Sequence, residues 1–481
     1  MVVLNRIITF SVLLILSIIF IIFSLNTVLS NIGIISVLLL VCAIGTSAFI
    51  LSGAWYFLNE TKPVIKKEKI REYPTVALVC TFSGEDVDIV KKVLMTMKSL
   101  NYPKNKINIY LLDDSNNKKI QKEMEEFCKK NNILYIKRKG REGFKAGNVN
   151  NFLFNYCKEE YLMLFDKDDF KLVNPNIILD TLPFFKDKEV AYVQTKKTTT
   201  KGSLFENAMK ETNALFYNLV QPINDKTETA LFGGSLALMR VDILKKLGGM
   251  QKSLIEDVAY SFKSLFSGFK GRYLNKNYVL SNKIESFSEF QKQHYRYNFA
   301  NTKLLFDSYI PNIFKIPFSL HYHLSLQFFG LHFLSLSQVI ACTLLPIFMI
   351  YLMPSIYLST ALVLFVFLFP ISILLVGKEY SGSFKIGFIA YLVNHSLAFT
   401  RMSAAAKAVL RVKPTTYKIT GIGKKTLPLK RVIQGSLVEF IFFILLLIPL
   451  FLIPFNPIYI ALLVWNASLF LTTPVFLILF G

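Results

Sequence analysis

The chain has 481 residues, 53% of them hydrophobic with 44 Phe, and a formal net charge of +23. That length leaves room for two or three domains, and the apolar content favours a membrane protein over a purely soluble one. A basic excess admits nucleic acid, an anionic lipid surface or an anionic small substrate as partner. The apolar runs favour lipid, which is compatible with the substrate, and no motif supports nucleic acid.

Residues 7–26 are apolar and reach the roughly 20 residues that a bilayer requires. A second run covers 33–57. The pair reads as a retained helical hairpin rather than a cleaved leader. Its loop, SLNTVLSN, is uncharged, whereas Arg6 precedes it and KKEKIRE follows. The positive-inside rule places both flanks in the cytoplasm.

The stretch 59–310 reads as a cytoplasmic α/β domain. VALVC, INIYLLDDS, YLMLFDKDD and VAYVQ are buried-strand patterns, and helical patterns such as DVDIVKKVLMTMKSL lie between them. This alternation predicts a mostly parallel sheet covered on both faces. Ligands of such sheets bind beyond the carboxyl ends of the strands. Asp113 and Asp114 stand at one such end, and Asp166, Asp168 and Asp169 at another.

Further apolar runs cover 325–352, 355–377, 436–454 and 457–480. Between the fourth and fifth runs, basic residues from Lys378 to Arg431 face the lone acid Glu379. A crossing at 382–411 would carry most of that charge outside, so this stretch is expected to lie as an amphipathic helix in the interface. The expectation is therefore six spans plus interfacial helices, with both termini cytoplasmic. The divisions are an N-terminal hairpin (1–58), the α/β domain (59–310), spans three and four with an interfacial lead (311–377), a basic segment (378–434) and the last two spans (435–481). None of the five Cys forms a CxxC pair, which argues against a zinc site or disulfide framework.

Five short stretches of the domain can carry chemistry, each with an ordinary structural alternative. FDKDDF places Asp166 and Asp168 where both can face one divalent cation; Mg²⁺ and Mn²⁺ take oxygen ligands, often one or two carboxylates plus substrate phosphates. The alternative is a solvated acidic loop. LLDDS offers carboxylates to a ribose or base, or else a turn. REGFKAGNVNN offers Lys145 to a phosphate, or is a loop and helix start. SLIEDVAY pairs Glu256 with Asp257, which suits a general base or a helix N-terminus. FQKQHYRY puts Gln293, Arg296 and Tyr297 on one side of a helix, for a diphosphate and a sugar face or for a membrane surface.

The order of these stretches is more specific than any one of them. DDS, FKAGN, FDKD, FGGS, IED and QHYRY resemble the processive family 2 glycosyltransferases, the cellulose synthase and hyaluronan synthase group. The resemblance covers about 75–300 and extends to the pattern of spans. YKITGIGKK is similar to the gating loop of that group, which points to Tyr417, Ile419, Thr420 and Lys424.

The resemblance implies a GT-A type fold and a membrane-embedded, inverting, processive hexosyltransferase in the cell membrane. Such an enzyme would extend a β-linked polysaccharide from a UDP- or GDP-sugar with Mg²⁺ or Mn²⁺, and pass the product across the bilayer. A sugar transfer to a polyprenyl phosphate or other lipid is the alternative. Asp257, beside Glu256, would be the base. Asp113, Asp114, Lys145, Asp166, Asp168, Gln293 and Arg296 would hold the nucleotide sugar, Asp166 and Asp168 also holding the metal. Phe232, Gly233, Gly234, Ser235 and Tyr297 would contact the acceptor. Tyr297 stands where the group has Trp, which points to a different acceptor face, and Asp169 stands where cellulose synthases often have His.

Overall fold

The computed structural model describes residues 72–84, 86–284, 286–317, 320–321, 383–412, 428–451 and 457–480, with scattered positions between 11 and 44. Its centre is one eight-stranded sheet. The strands are β1 (Val76–Phe82), β2 (Ile107–Asp113), β3 (Leu134–Lys137), β4 (Tyr161–Phe165), β5 (Asp169–Leu172), β6 (Val190–Thr199), β7 (Ala237–Arg240) and β8 (Lys270–Ser281). Their spatial order is β3-β2-β1-β4-β7-β6-β8-β5.

The helices used below are α1 (Val87–Lys98), α2 (Lys118–Lys130), α3 (Phe144–Asn155), α4 (Leu204–Leu215), α5 (Glu256–Phe266), α6 (Phe287–Leu304), α7 (Phe384–Ser396), α8 (Ala398–Val409), α9 (Leu437–Leu447), α10 (Pro457–Phe470) and α11 (Thr472–Phe480).

Alternation along β1 shows why the sheet is covered twice. Val76, Leu78, Cys80 and Phe82 pack with Val90, Val93 and Leu94 of α1 and Met124 of α2. Ala77 and Val79 face the other way, onto Ala146, Val149 and Phe152 of α3. Residues two apart share a face, so a strand apolar throughout must be covered on both sides.

The sheet is less parallel than its sequence suggests. β3, β2, β1 and β4 are parallel neighbours, as are β6 and β8. β7 is antiparallel to both β4 and β6, and β5 is antiparallel to β8. A buried apolar run encodes a strand but not its direction. The reversal has a use: β6 again runs the same way as β4, so the carboxyl ends of β2, β4 and β6 share one edge. The FGGS turn that leads into antiparallel β7 arrives at that edge too.

The stretch 383–412 forms two helices, α7 and α8, meeting at Leu397, rather than one. Val393 and Leu397 pack with Phe205 and Met209 of α4 and Phe287 and Phe290 of α6. Ala404 and Ala408 of α8 pack on Tyr295 and Phe299 of α6. Arg401, expected on a lipid-facing basic surface, is instead 2% exposed and donates to Asn394 Oδ1 at 3.1 Å.

Among the described residues no helix is long and apolar enough to cross a membrane. The first four expected spans lie partly or wholly outside those residues. Within the fifth lies the short helix α9, and the sixth is divided between α10 and α11.

Candidate active site

The edge where β2, β4 and β6 end gathers most of the candidate side chains. β2 ends in Asp113, which is fully buried. Its Oδ1 accepts from the Ser115 backbone N–H at 2.6 Å and its Oδ2 from the Tyr135 hydroxyl at 2.5 Å. Asp114 receives a two-pronged contact from Arg138, Nε to Oδ1 at 2.8 Å and Nη2 to Oδ2 at 2.7 Å. Arg138 also donates to the carbonyls of Glu142 and Phe144. One guanidinium thus ties the acid pair to the loop that starts α3.

That loop presses on the helix it begins. A Cβ at Gly147 would lie 1.9 Å from the Glu142 carbonyl oxygen, so no larger residue fits. The FKAGN glycine therefore permits the close approach of loop and helix. Asn148, from the same motif, is buried and donates to the Leu112 carbonyl of β2. The fixed helix start aims Lys145 across the sheet edge.

Lys145 Nζ donates to Asp166 Oδ1 at 2.6 Å and to the Gly234 carbonyl at 3.1 Å. It also lies 3.8 Å from Glu256. A second ammonium, Lys197 from the end of β6, donates to Asp166 Oδ2 at 2.5 Å and to Ser235 Oγ at 2.9 Å. Burial raises the proton affinity of Asp166, but the two ammoniums outweigh it and hold the carboxyl well below its usual range.

Asp169 has a different place from its neighbours. Fully buried, it accepts from the Asp166 backbone N–H at 2.8 Å and from the Ser281 hydroxyl of β8. It pins the turn that presents Asp166 and Asp168. Asp168 is partly exposed. Burial pushes its carboxyl up to about 6; Lys197 pulls it down, while Asp169 and Asp166 push it further up.

Opposite this turn is the start of α5. A Cβ on Gly234, whose φ is +89°, would lie 3.0 Å from Asp257 Oδ2, so the glycine both makes the turn and leaves room for that carboxylate. The turn is tied to α5: the Phe232 backbone N–H donates to Ser261 Oγ, which donates to the Asp257 carbonyl. Burial pushes Asp257 up to about 7, with Glu256 and Asp166 adding and Val258 N–H and Lys145 opposing. A carboxylate with that affinity suits a proton acceptor at neutral pH.

From α6, Gln293 donates to the Tyr297 hydroxyl at 3.0 Å, and Arg296 lies exposed over the Tyr297 ring at 5.5 Å. Burial raises the proton affinity of the Tyr297 hydroxyl; Arg296 and Lys197 oppose this, and Asp257 and Asp166 add to it. Four groups that sequence reasoning missed complete the site: Arg138, Lys197, Gln194 and Tyr217. Gln194 accepts from the Gly233 N–H at 2.7 Å and donates to the Ser235 carbonyl, holding the FGGS turn. The Tyr217 hydroxyl stands 2.6 Å from where a Gly233 Cβ would be. Lys197 lies near the end of β6 in no motif, and Tyr217 sits in a single π-turn, Phe216–Val220; neither carries a distinctive sequence signal.

Two candidates are placed differently: Ser235 is fully buried, its hydroxyl accepting from Lys197 Nζ. Phe232 does not line an open path: its ring is fully buried against Tyr192 and Tyr260, because the backbone turn sends it inward to the core. Tyr417, Ile419, Thr420 and Lys424 lie outside the described residues.

A divalent ion can be tested against this chemistry. Among the described residues no group of three or more His, Cys, Asp or Glu side chains is arranged to hold a metal. Two carboxylates are enough for Mg²⁺ or Mn²⁺ when substrate phosphates supply further ligands. The donor set fits: Asp166 and the partly exposed Asp168 put two carboxylates on one turn, the oxygen ligands that such an ion favours.

Residues 161–376 match the family described as Glycosyl transferase family group 2. Over those residues the chain is similar to the family 2 glycosyltransferases. It is 30% identical over 243 residues to the cellulose synthase catalytic subunit [UDP-forming] of Pseudomonas fluorescens (strain SBW25), a match covering 49% of this chain and 32% of that relative. The corresponding subunit of Xanthomonas axonopodis pv. citri (strain 306) is 28% identical over 240 residues, covering 47% of this chain and 32% of the relative. The chain thus matches about a third of the length of either relative. A mannosyltransferase from Pyrobaculum calidifontis, solved with GDP-Man and Mn²⁺, aligns at a TM-score of 0.49 and 13% identity, covering 78% of this chain and 100% of that one. FDKDDF, FGGS, IED and QHYRY all fall within the matched residues.

Proposed function

We propose that the protein is a membrane-embedded, inverting, processive hexosyltransferase with a GT-A type domain. It extends a β-linked polysaccharide from a nucleotide sugar at the cytoplasmic face of the cell membrane and passes the product across. The observation that carries the reading is Asp257: a half-buried carboxyl with proton affinity near neutrality, packed against Gly234 on the same edge as Lys145 and Asp166. The similarity to cellulose synthase catalytic subunits supports processivity, and the apolar runs of the sequence support the membrane.

In this mechanism the acceptor hydroxyl gives its proton to Asp257 as its oxygen attacks the anomeric carbon. The bond from that carbon to the diphosphate oxygen breaks in the same step. The bonding pair leaves with the diphosphate, and attack from the opposite face turns an α-linked donor into a β-linked product. Lys145 and Lys197 stand where they can take up the charge that develops on the leaving group. Asp166 and Asp168 would hold Mg²⁺ or Mn²⁺, which supplies further neutralisation of that charge. Asp113 and Asp114, held by fixed donors, shape the nucleoside wall. Gln293 and Tyr297 hold the acceptor end, with Arg296 at the rim.

The test offers labelled UDP- and GDP-sugars singly to the full-length protein in vesicles with Mg²⁺ or Mn²⁺. High-mass labelled polymer from one donor is the expected result. Label confined to a lipid-extractable, one-sugar product would overturn processivity and favour transfer to a lipid phosphate.

A further inference from the structure

The carboxylate assigned to the metal already has two cations on it. Lys145 Nζ takes Asp166 Oδ1 and Lys197 Nζ takes Asp166 Oδ2. Lys197 is also held by the Ser235 hydroxyl at 2.9 Å and lies 3.6 Å from Asp169 Oδ1. Its side chain is 19% exposed. A divalent ion entering alone must displace an ammonium from Asp166 and then sit beside two ammonium charges, one displaced and one still bound. In a partly buried site such like-charge repulsion is poorly screened. A diphosphate entering with the ion removes that obstacle, because its oxygens accept the two ammoniums.

We propose that Lys197 is the counter-cation of Asp166 in the donor-free enzyme and yields that place only when a nucleoside diphosphate and the divalent ion arrive together. The metal alone then binds weakly, and metal with nucleotide binds well. The inference rests on the glycosyltransferase reading, in which Asp166 is a ligand. It adds a positioning residue, outside every motif of the sequence reading, that makes metal and donor binding mutually dependent.

The experiment measures Mn²⁺ binding to the full-length protein in detergent by electron paramagnetic resonance, without nucleotide and with UDP or GDP. The variants are Lys197→Gln, Lys197→Met and Lys197→Arg. Removing the charge is expected to tighten binding of Mn²⁺ alone by about tenfold or more, a conservative figure for removing a unit charge a few ångströms away. The Arg variant keeps the charge and should bind as wild type does, which a purely structural role for Lys197 does not require. Wild type should reach the tighter affinity only with nucleotide present.

Unchanged Mn²⁺ affinity in both neutral variants would overturn the inference, as would nucleotide-independent tight binding by wild type. Sugar transfer by wild type, assayed in parallel, separates the two readings. Transfer with unchanged metal affinities removes the role of Lys197 and keeps the enzyme. A rise in affinity in the neutral variants with no transfer from any donor keeps the counter-cation and removes the enzyme.

Discussion

Two acid groups at the same edge of the sheet look alike in sequence and behave differently in the fold. At the end of β2, the four carboxylate oxygens of Asp113 and Asp114 face donors of fixed position: a backbone N–H, a ring-borne hydroxyl and one guanidinium clamped to two carbonyls. At the end of β4, Asp166 is met by two lysine ammoniums on long flexible stems, and Asp168 remains partly exposed. Fixed, saturated acids are structural pins. Acids balanced by movable cations can exchange those cations for a ligand. The first group holds a wall, and the second is where charge changes hands.

The largest effect that sharpens this contrast lies beyond both groups, at Asp257. Asp257→Asn is expected to lower turnover by about 10²–10⁴-fold, the usual contribution of a general base, while UDP or GDP binding measured by calorimetry stays close to wild type. Loss of nucleotide binding as well would place Asp257 in the binding wall instead.

The next effect concerns stability. Arg138→Met leaves the buried Asp114 carboxylate without its cation and should destabilise the fold by about 3–5 kcal/mol, read as a large drop in Tm. Asp166→Asn should abolish transfer with little change in Tm, because Asp168, Asp169 and Glu256 remain near the two lysines. Equal Tm losses in the two variants would break the contrast.

A pH profile follows. The base must be deprotonated, and its affinity is raised to about 7, so kcat/KM should rise with pH through that value. At pH 6 it would be about a tenth of its plateau for a single titrating base. Glu256 raises Asp257, so Glu256→Gln should move this limb to lower pH. A limb that stays in place would detach it from Asp257. The smallest effect is Tyr135→Phe, which removes one donor from Asp113 and should cost about 1–2 kcal/mol with KM for the donor unchanged.

Much of this was legible in the sequence because burial and topology leave marks. Strands apolar throughout announced a sheet covered twice, and acids directly after such strands announced the working edge. Other features left no mark. The antiparallel insertion of β7 depends on chain direction, which the short run ALMR does not encode. Lys197 is one of 55 basic residues and belongs to no motif, yet it reaches the central carboxylate. Asp169 and Phe232 sit inside motifs and serve the scaffold, one pinning a turn and the other filling the core. Arg401 reads as surface charge, but the packing of α8 on α6 buries it. Spacing locates a motif; only packing shows which of its side chains face the cleft.

The central claim is that Asp257 and the acid cluster at β4 extend one chain many times before releasing it. The most direct measurement is the length distribution of labelled product in the first few per cent of donor consumption, with the preferred nucleotide sugar and excess acceptor. The account expects long polymer at the earliest time points, with most acceptor untouched. A product confined to a single added sugar, or a ladder that lengthens evenly with time, would contradict it.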